Sequence, residues 1–299
     1  WGPGAGLPCS QWIADSCRWV EERHRPNLTL LYLPHLDYNF QRHGPDESRV
    51  KGDLSEIDQL LESLITYLQS RDIEVTLLSE YGITEVDRPI HVNRIFREQS
   101  WLTIKDEMGL ELLDCGASKA FAVADHQVAH VYVQEKAMLE SVRQRCAEIP
   151  GVESVLHGES RRACGLDHER AGDLILIADA RSWFTYYYWQ DDARAPDFAR
   201  CVDIHRKPGY DPVELFLDPQ RRFPKLTIAR KLLQKKLGFR MLMDLIPLDA
   251  HLVKGSHGRV PEDPLDWPIL LGPALSGTQE AVDSTDVHGL LLESINPSC

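Results

Sequence analysis

Positive charge is what this chain has least of: 33 Lys and Arg stand against 46 Asp and Glu, a formal net charge of -13. A groove that tracks a phosphate backbone shows as basic surface, so a nucleic-acid groove is not expected. Long apolar runs are also missing; none approaches the ~20 residues of a membrane-spanning helix. Seven cysteines, an odd number with no C-x-x-C spacing, suit buried thiols of a reducing compartment better than a disulfide framework or a zinc ribbon, which predicts a cytoplasmic protein. The opening "WGPGAGLPCSQW" lacks the charged-then-apolar build of a secretory leader and begins at Trp1, so the chain reads as a fragment. What is present is globular: 43% hydrophobic and 26% charged residues over 299 positions bury a large core.

The first 115 residues alternate between element types. "SQWIADSCRWVEER" reads as a helix, "LTLLYLP" as a short β-prone strand, and "DLSEIDQLLESLITYLQSRD" as a long helix. That helix gathers Leu54, Ile57, Leu60, Leu61, Leu64, Ile65 and Leu68 on one stripe. "IEVTLLSEYG" is a second strand, which completes a βαβ unit and predicts an α/β fold with a mainly parallel sheet flanked by helices.

"LPHLDYNFQRHGPD" then places Asp37 just past the first strand, where ligands bind in open α/β sheets. Asp37 reads equally as a metal ligand or as a turn former. The second strand ends on Glu80-Tyr81-Gly82. Two acids at neighbouring strand ends repel unless a cation lies between them.

From about 118 to 220 the texture changes to a strand-rich insertion. "ADHQVAHVYV" sets Asp125, His126 and His130 beside an apolar strand, the two His four apart and so on one strand face, His126 either satisfying loop carbonyls or serving as a ligand. "VDIHRKPGYDP" offers His205, Arg206 and Lys207 for a substrate anion, or a rigid Pro-Gly turn. The aromatic run Phe184, Tyr186, Tyr187, Tyr188, Trp189 is either a stacking platform or ordinary packing. A helix "LTIARKLLQKKLGF", a His-Gly turn in "VKGSHGRVPEDP" and a strand "WPILLGP" close a domain of residues 1–273. Residues 274–299 show no periodicity and read as a loosely ordered tail.

The segments "YLPHLDYNFQRHGPD", "LLSEYGITEVDRPIHVNRIF", "AHVYV" and "KGSHGRVPEDPLDWPILLGP" resemble, in order, the type I phosphodiesterase / nucleotide pyrophosphatase family of the alkaline phosphatase superfamily. The resemblance implies an alkaline-phosphatase-like α/β fold, one or two divalent metal ions and hydrolysis of phosphoric esters and diesters. The family's Asp, a His four residues on, and Gly-Pro appear as Asp37, Gln41 and Gly44-Pro45; its Asp-His-Gly appears as Glu80-Tyr81-Gly82. Its Gly-x-His-Gly is intact as Gly255-Ser256-His257-Gly258. The implied metal set is Asp37, Gln41, Glu80, Tyr81 and His257, with His126 as a replacement imidazole. Zinc is the family's usual metal, while this oxygen-rich set also suits magnesium or manganese. The implied substrate is a small phosphorylated or sulfated molecule. The family's nucleophile would precede residue 1, so this chain alone is expected to be inactive. The alternative is a degenerate member that binds a ligand or partner without hydrolysing it.

Overall fold

The computed structural model describes residues 1–272 and 281–295. These fall into two compact units.

One unit comprises residues 5–39, 46–83 and 261–299. Its first helix, α1 (Leu7–His24), starts with Pro8 in the first turn and ends on Arg25, whose left-handed backbone returns its N–H to the Glu21 carbonyl. Helix α2 (His35–His43) contributes its residues 35–39 to this unit. Helix α3 (Glu47–Gln69) is capped by Asp46, which accepts from the Ser48 amide at 3.0 Å. The predicted stripe does most of its work: Ile57, Leu60 and Leu64 bury against Ala14 and Cys17 of α1, with Leu61 and Leu68 at the margin. Leu54 lies off the stripe, 41% exposed.

The expected parallel sheet does not appear in this unit. Among the described residues no strand forms over 28–34, and "IEVTLLSEYG" yields only Leu77–Leu78, paired antiparallel with Leu270–Leu271. The burial pattern supplies the physical reason. Leu31 and Leu33 pack on the α1–α3 core while Leu28, Leu30 and Tyr32 are exposed, so the run is covered on one face instead of the two that a parallel strand needs. Asp37 consequently sits in the first turn of α2, not at a strand's carboxyl end.

The other unit comprises residues 1–4, 40–45 and 84–260. It holds the main sheet, four strands in the order Ala120–Asp125, Val128–Val133, Leu174–Ala178, Val152–Leu156, all antiparallel. Alternating Ala120, Ala122, Ala124 and Ala129, Val131, Val133 are buried, as a sheet with one covered face requires. Arg88–Ile90 and Ser182–Phe184 form a short parallel pair. The architecture is thus mixed α/β, with small and mostly antiparallel sheets.

The outer strand Ala120–Asp125 spends its outward hydrogen-bonding groups within the unit. The Ala120 amide donates to the Trp101 carbonyl (3.2 Å), and the buried Asn93 side chain both accepts from the Ala122 amide (2.7 Å) and donates to its carbonyl (2.8 Å). The Ala124 carbonyl accepts from the Tyr210 amide (2.8 Å). The aromatic run is packing: Phe184, Tyr186, Tyr187, Tyr188 and Trp189 are buried in the core beside Trp183.

Of the tail 274–299, residues 274–280 and 296–299 lie outside the described residues, and a helix occupies Val287–Ile295. Among the described residues no helix is long and apolar enough to cross a membrane.

Candidate metal centre

The candidate site residues divide between the two units. Asp37, Glu80 and Tyr81 belong to one; Gln41, His126, His205, Arg206, Lys207 and His257 belong to the other.

In the first unit the Tyr81 hydroxyl donates to the Asp37 carboxylate at 3.1 Å. Burial, with the Asp37 charge beside it, pushes the Tyr81 phenol far above its ordinary value, so it is a neutral donor that orients the carboxylate. Tyr32, although more than half exposed, is raised too, chiefly by the partial desolvation of its hydroxyl, and Asp37 and Glu80 add to the effect. Glu80 itself is exposed. The structure therefore brings Asp37 and Tyr81 together and surrounds Tyr32 with the same acids.

In the second unit the tip of the first hairpin does the positioning. Strands Ala120–Asp125 and Val128–Val133 pair through Asp125 and Val128, which leaves His126 and Gln127 as a two-residue loop. His126 has a left-handed backbone (φ 54°), unusual for a residue with a side chain. Its carbonyl accepts from the Phe184 amide (2.7 Å), and the next amide, Gln127, donates to the His257 carbonyl (2.9 Å). Gly258, at φ 115°, carries the chain away from His257 in a conformation suited to glycine.

These clamps bring the two imidazoles together. The His126 and His257 ring centroids are 3.9 Å apart, and the Tyr210 ring lies 4.4 Å from His126. Ser256 Oγ is 3.4 Å from His126 Nδ1. Burial holds His257 down to about 4. Burial, followed by the neighbouring His257, holds His126 well below the ordinary histidine range. Both rings are therefore neutral at pH 7, the state in which imidazole ligates a metal.

Gln41 belongs to the same unit. It is fully buried, and among the described residues neither atom of its carboxamide has a hydrogen-bond partner. An unpaired buried amide is costly, and a cation that takes the amide oxygen would relieve part of that cost. Its backbone carbonyl accepts from the Lys254 amide at 2.9 Å, which ties the residue to the segment leading into His257. Two neutral imidazoles and an orphaned carboxamide thus fit a divalent ion in their chemistry, although Gln is a weaker zinc ligand than the imidazole it replaces.

Other predicted residues lie elsewhere. His130 is paired within the sheet and accepts from the Gly172 amide (3.1 Å), so it does not share a strand face with His126, which is in the loop. His205 and Arg206 are exposed, and Arg206 pairs with Asp197 at 3.0 Å. Lys207 is buried, its ammonium 2.7 Å from Asp211 and 2.6 Å from Glu214. Glu214 also accepts from the Trp1 indole (2.7 Å) and the Asp203 amide (3.0 Å). A cavity of about 500 Å³ in this unit is lined by His91, Arg94, Arg200, Asp218, His251 and their neighbours, and by none of the motif residues.

Sequence reasoning missed the group formed by His35, Asp53 and Glu56 in the first unit. His35 shows in the sequence only as a residue flanking the Asp37 motif, because its partners, the part-buried Asp53 and the half-exposed Glu56, come from the polar side of the long amphipathic helix.

The family described as type I phosphodiesterase / nucleotide pyrophosphatase matches residues 8–211 of this chain. No curated protein matches. Among solved structures, murine ectonucleotide pyrophosphatase / phosphodiesterase 5 is similar at 17% identity over 99% of this chain and 61% of its own, with a TM-score of 0.49. A phosphonoacetate hydrolase from Sinorhizobium meliloti 1021, in complex with phosphonoformate, is similar at 14% identity over 64% of this chain and 45% of its own, with a TM-score of 0.44. The chain spans less than two thirds of the length of either.

Proposed function

We propose, from the fact that this chain belongs to the type I phosphodiesterase / nucleotide pyrophosphatase family, that its full-length protein is a metal-dependent hydrolase of phosphoric esters and diesters. The observation that carries the reading is the family match over residues 8–211, which includes the Asp37–Gln41 motif and Glu80-Tyr81. The pairing of neutral His126 with His257 supports it, because a second imidazole stands beside the one that the motif keeps.

In this reading His126, His257 and Gln41 of one unit offer nitrogen and oxygen to an ion, and in the other unit Asp37 offers a carboxylate that Tyr81 orients. Glu80 adds negative charge near Asp37. The bound metal supplies Lewis-acid polarisation of a phosphoryl oxygen. His257 and His126 stay unprotonated because burial disfavours their charged forms, which keeps their nitrogens available above pH 6. Zinc or manganese fits this mixed set better than magnesium, whose preference for oxygen leaves the imidazoles poorly used. Arg206 and His205 are the exposed groups on this turn that an anionic substrate reaches, Arg206 by exchanging its pairing with Asp197, since Lys207 is buried between two carboxylates.

The test is hydrolysis of a panel of aryl phosphomonoesters, diesters and sulfates by the full-length protein, with metal content measured on the same samples. Metal-loaded protein is expected to turn over a phosphoric ester and chelator-treated protein is not. His257→Ala should abolish turnover, and His126→Ala should lower bound metal. Full activity in the stripped protein, or unchanged metal and activity in both variants, would overturn the proposal.

A further inference from the structure

We propose that His35, Asp53 and Glu56 form a second divalent-cation site that pins α2 to α3. Asp53 and Glu56 are three apart on α3 and therefore share a face. His35 opens α2 two residues before Asp37, a spacing of about 200° that sends the two side chains to opposite sides of the helix. The site is thus separate from the Asp37 carboxylate and does not rest on the proposed hydrolase activity.

The geometry carries the assignment. His35 Nε2 lies 3.3 Å from Glu56 Oε2 and 3.6 Å from Asp53 Oδ1. One ligand atom from each of the three residues falls within 4.8 Å of the others. An ion with bonds of about 2.0–2.1 Å in a tetrahedron holds neighbouring ligand atoms about 3.3 Å apart, which matches both spacings.

The histidine itself is the independent observation. It is 3% exposed, and neither ring nitrogen has a hydrogen-bond partner among the described residues, although Nε2 is aimed at two carboxylates. A buried imidazole left in that condition is costly unless something joins it to the acids.

The surroundings suit an ion. Asn39 donates to Asp53 Oδ1 at 2.7 Å and so orients that carboxylate from outside the group, as outer partners of metal ligands do. Glu56 is half-exposed and gives the site a way in. One imidazole and two carboxylates make a borderline donor set that suits zinc or manganese and leaves a coordination position for water.

The test reads metal, not turnover. In a His126→Ala/His257→Ala background, chelator-stripped protein is titrated with zinc alone, and bound zinc is measured after desalting. One zinc per chain should remain, and zinc should raise the melting temperature. Adding Glu56→Gln, a change at a half-exposed position that leaves the fold intact, should weaken this zinc at least about tenfold, because losing a ligand costs no less than losing an outer partner. His35→Gln should do the same and should abolish the visible absorption of bound cobalt(II). Zinc affinity and thermal shift unchanged in both variants would overturn the site. So would the absence of residual zinc.

Discussion

Replacing Lys207 with Met leaves two buried carboxylates without their cation. Lys207, Asp211 and Glu214 are each buried, with N–O distances of 2.7 and 2.6 Å. Burial alone pulls the lysine down, but the two acids outweigh it and hold the ammonium above its ordinary value, so it is charged at every working pH. The group carries one positive and two negative charges. The excess is spread over the Trp1 indole, the Asp203 amide and the Val213 amide, which donates to Asp211 at 3.2 Å. Removing one member of a buried ion pair costs about 3–5 kcal/mol. With about 2–4 °C lost per kcal/mol for a unit of this size, Lys207→Met should melt roughly 6–20 °C lower at pH 7.5. Thermal and urea unfolding followed by tryptophan fluorescence measure the loss. The triple variant Lys207→Met/Asp211→Asn/Glu214→Gln should recover more than half of the loss. A single-variant loss under about 1 kcal/mol, well below the range for a broken buried pair, would refute the reasoning.

Two further outcomes rest on other buried groups. His91, stacked on Tyr187 and 2.7 Å from the Thr185 hydroxyl, is lowered to about 4, chiefly by burial and then by Arg94. The unfolded chain takes up its proton near 6.5 and the folded chain only near 4. Stability is therefore full above about 6.5 and falls by up to about 3 kcal/mol as pH drops to 4. His91→Gln should flatten that slope in urea titrations across the interval, and an unchanged slope would count against it. Asn93→Ala strands the Ala122 amide and carbonyl in the core and should cost about 2–4 kcal/mol by the same assay. Hydrogen exchange at the Ala122 amide should rise with it; an amide that stays protected would show that another group takes over.

Local patterns in the sequence translated well, and long-range ones did not. The stripe Ile57, Leu60, Leu64 and the strand Val128–Val133 follow from periodicities of 3.6 and 2, which need only neighbours along the chain. The parallel sheet failed because an apolar run such as 28–34 shows that it is β-prone without showing what pairs with it. His126 and His130 looked like one strand face, yet a left-handed residue at 126 moved the first into the loop, and no side-chain pattern announces that turn. Among the candidate residues, His257 and Asp37 stand out in the sequence by their motifs, one in each unit. The imidazole pairing of His126 was legible only as one of two readings, and the burial of Lys207 was hidden by its place in a charged, Pro-Gly turn.

The outer strand Ala120–Asp125 has a consequence for behaviour at high concentration. A sheet edge is normally a template on which another chain can lay a strand, and such additions seed aggregation. Here the template is already spent at alternate positions: Trp101 caps Ala120, the Asn93 amide occupies Ala122 as a strand would, and Tyr210 takes Ala124. A foreign strand would have to evict all three, two of them backbone groups fixed by the fold. The same side chain whose loss exposes Ala122 therefore guards solubility as well as stability, and the first aggregates of an Asn93 variant should grow from this edge.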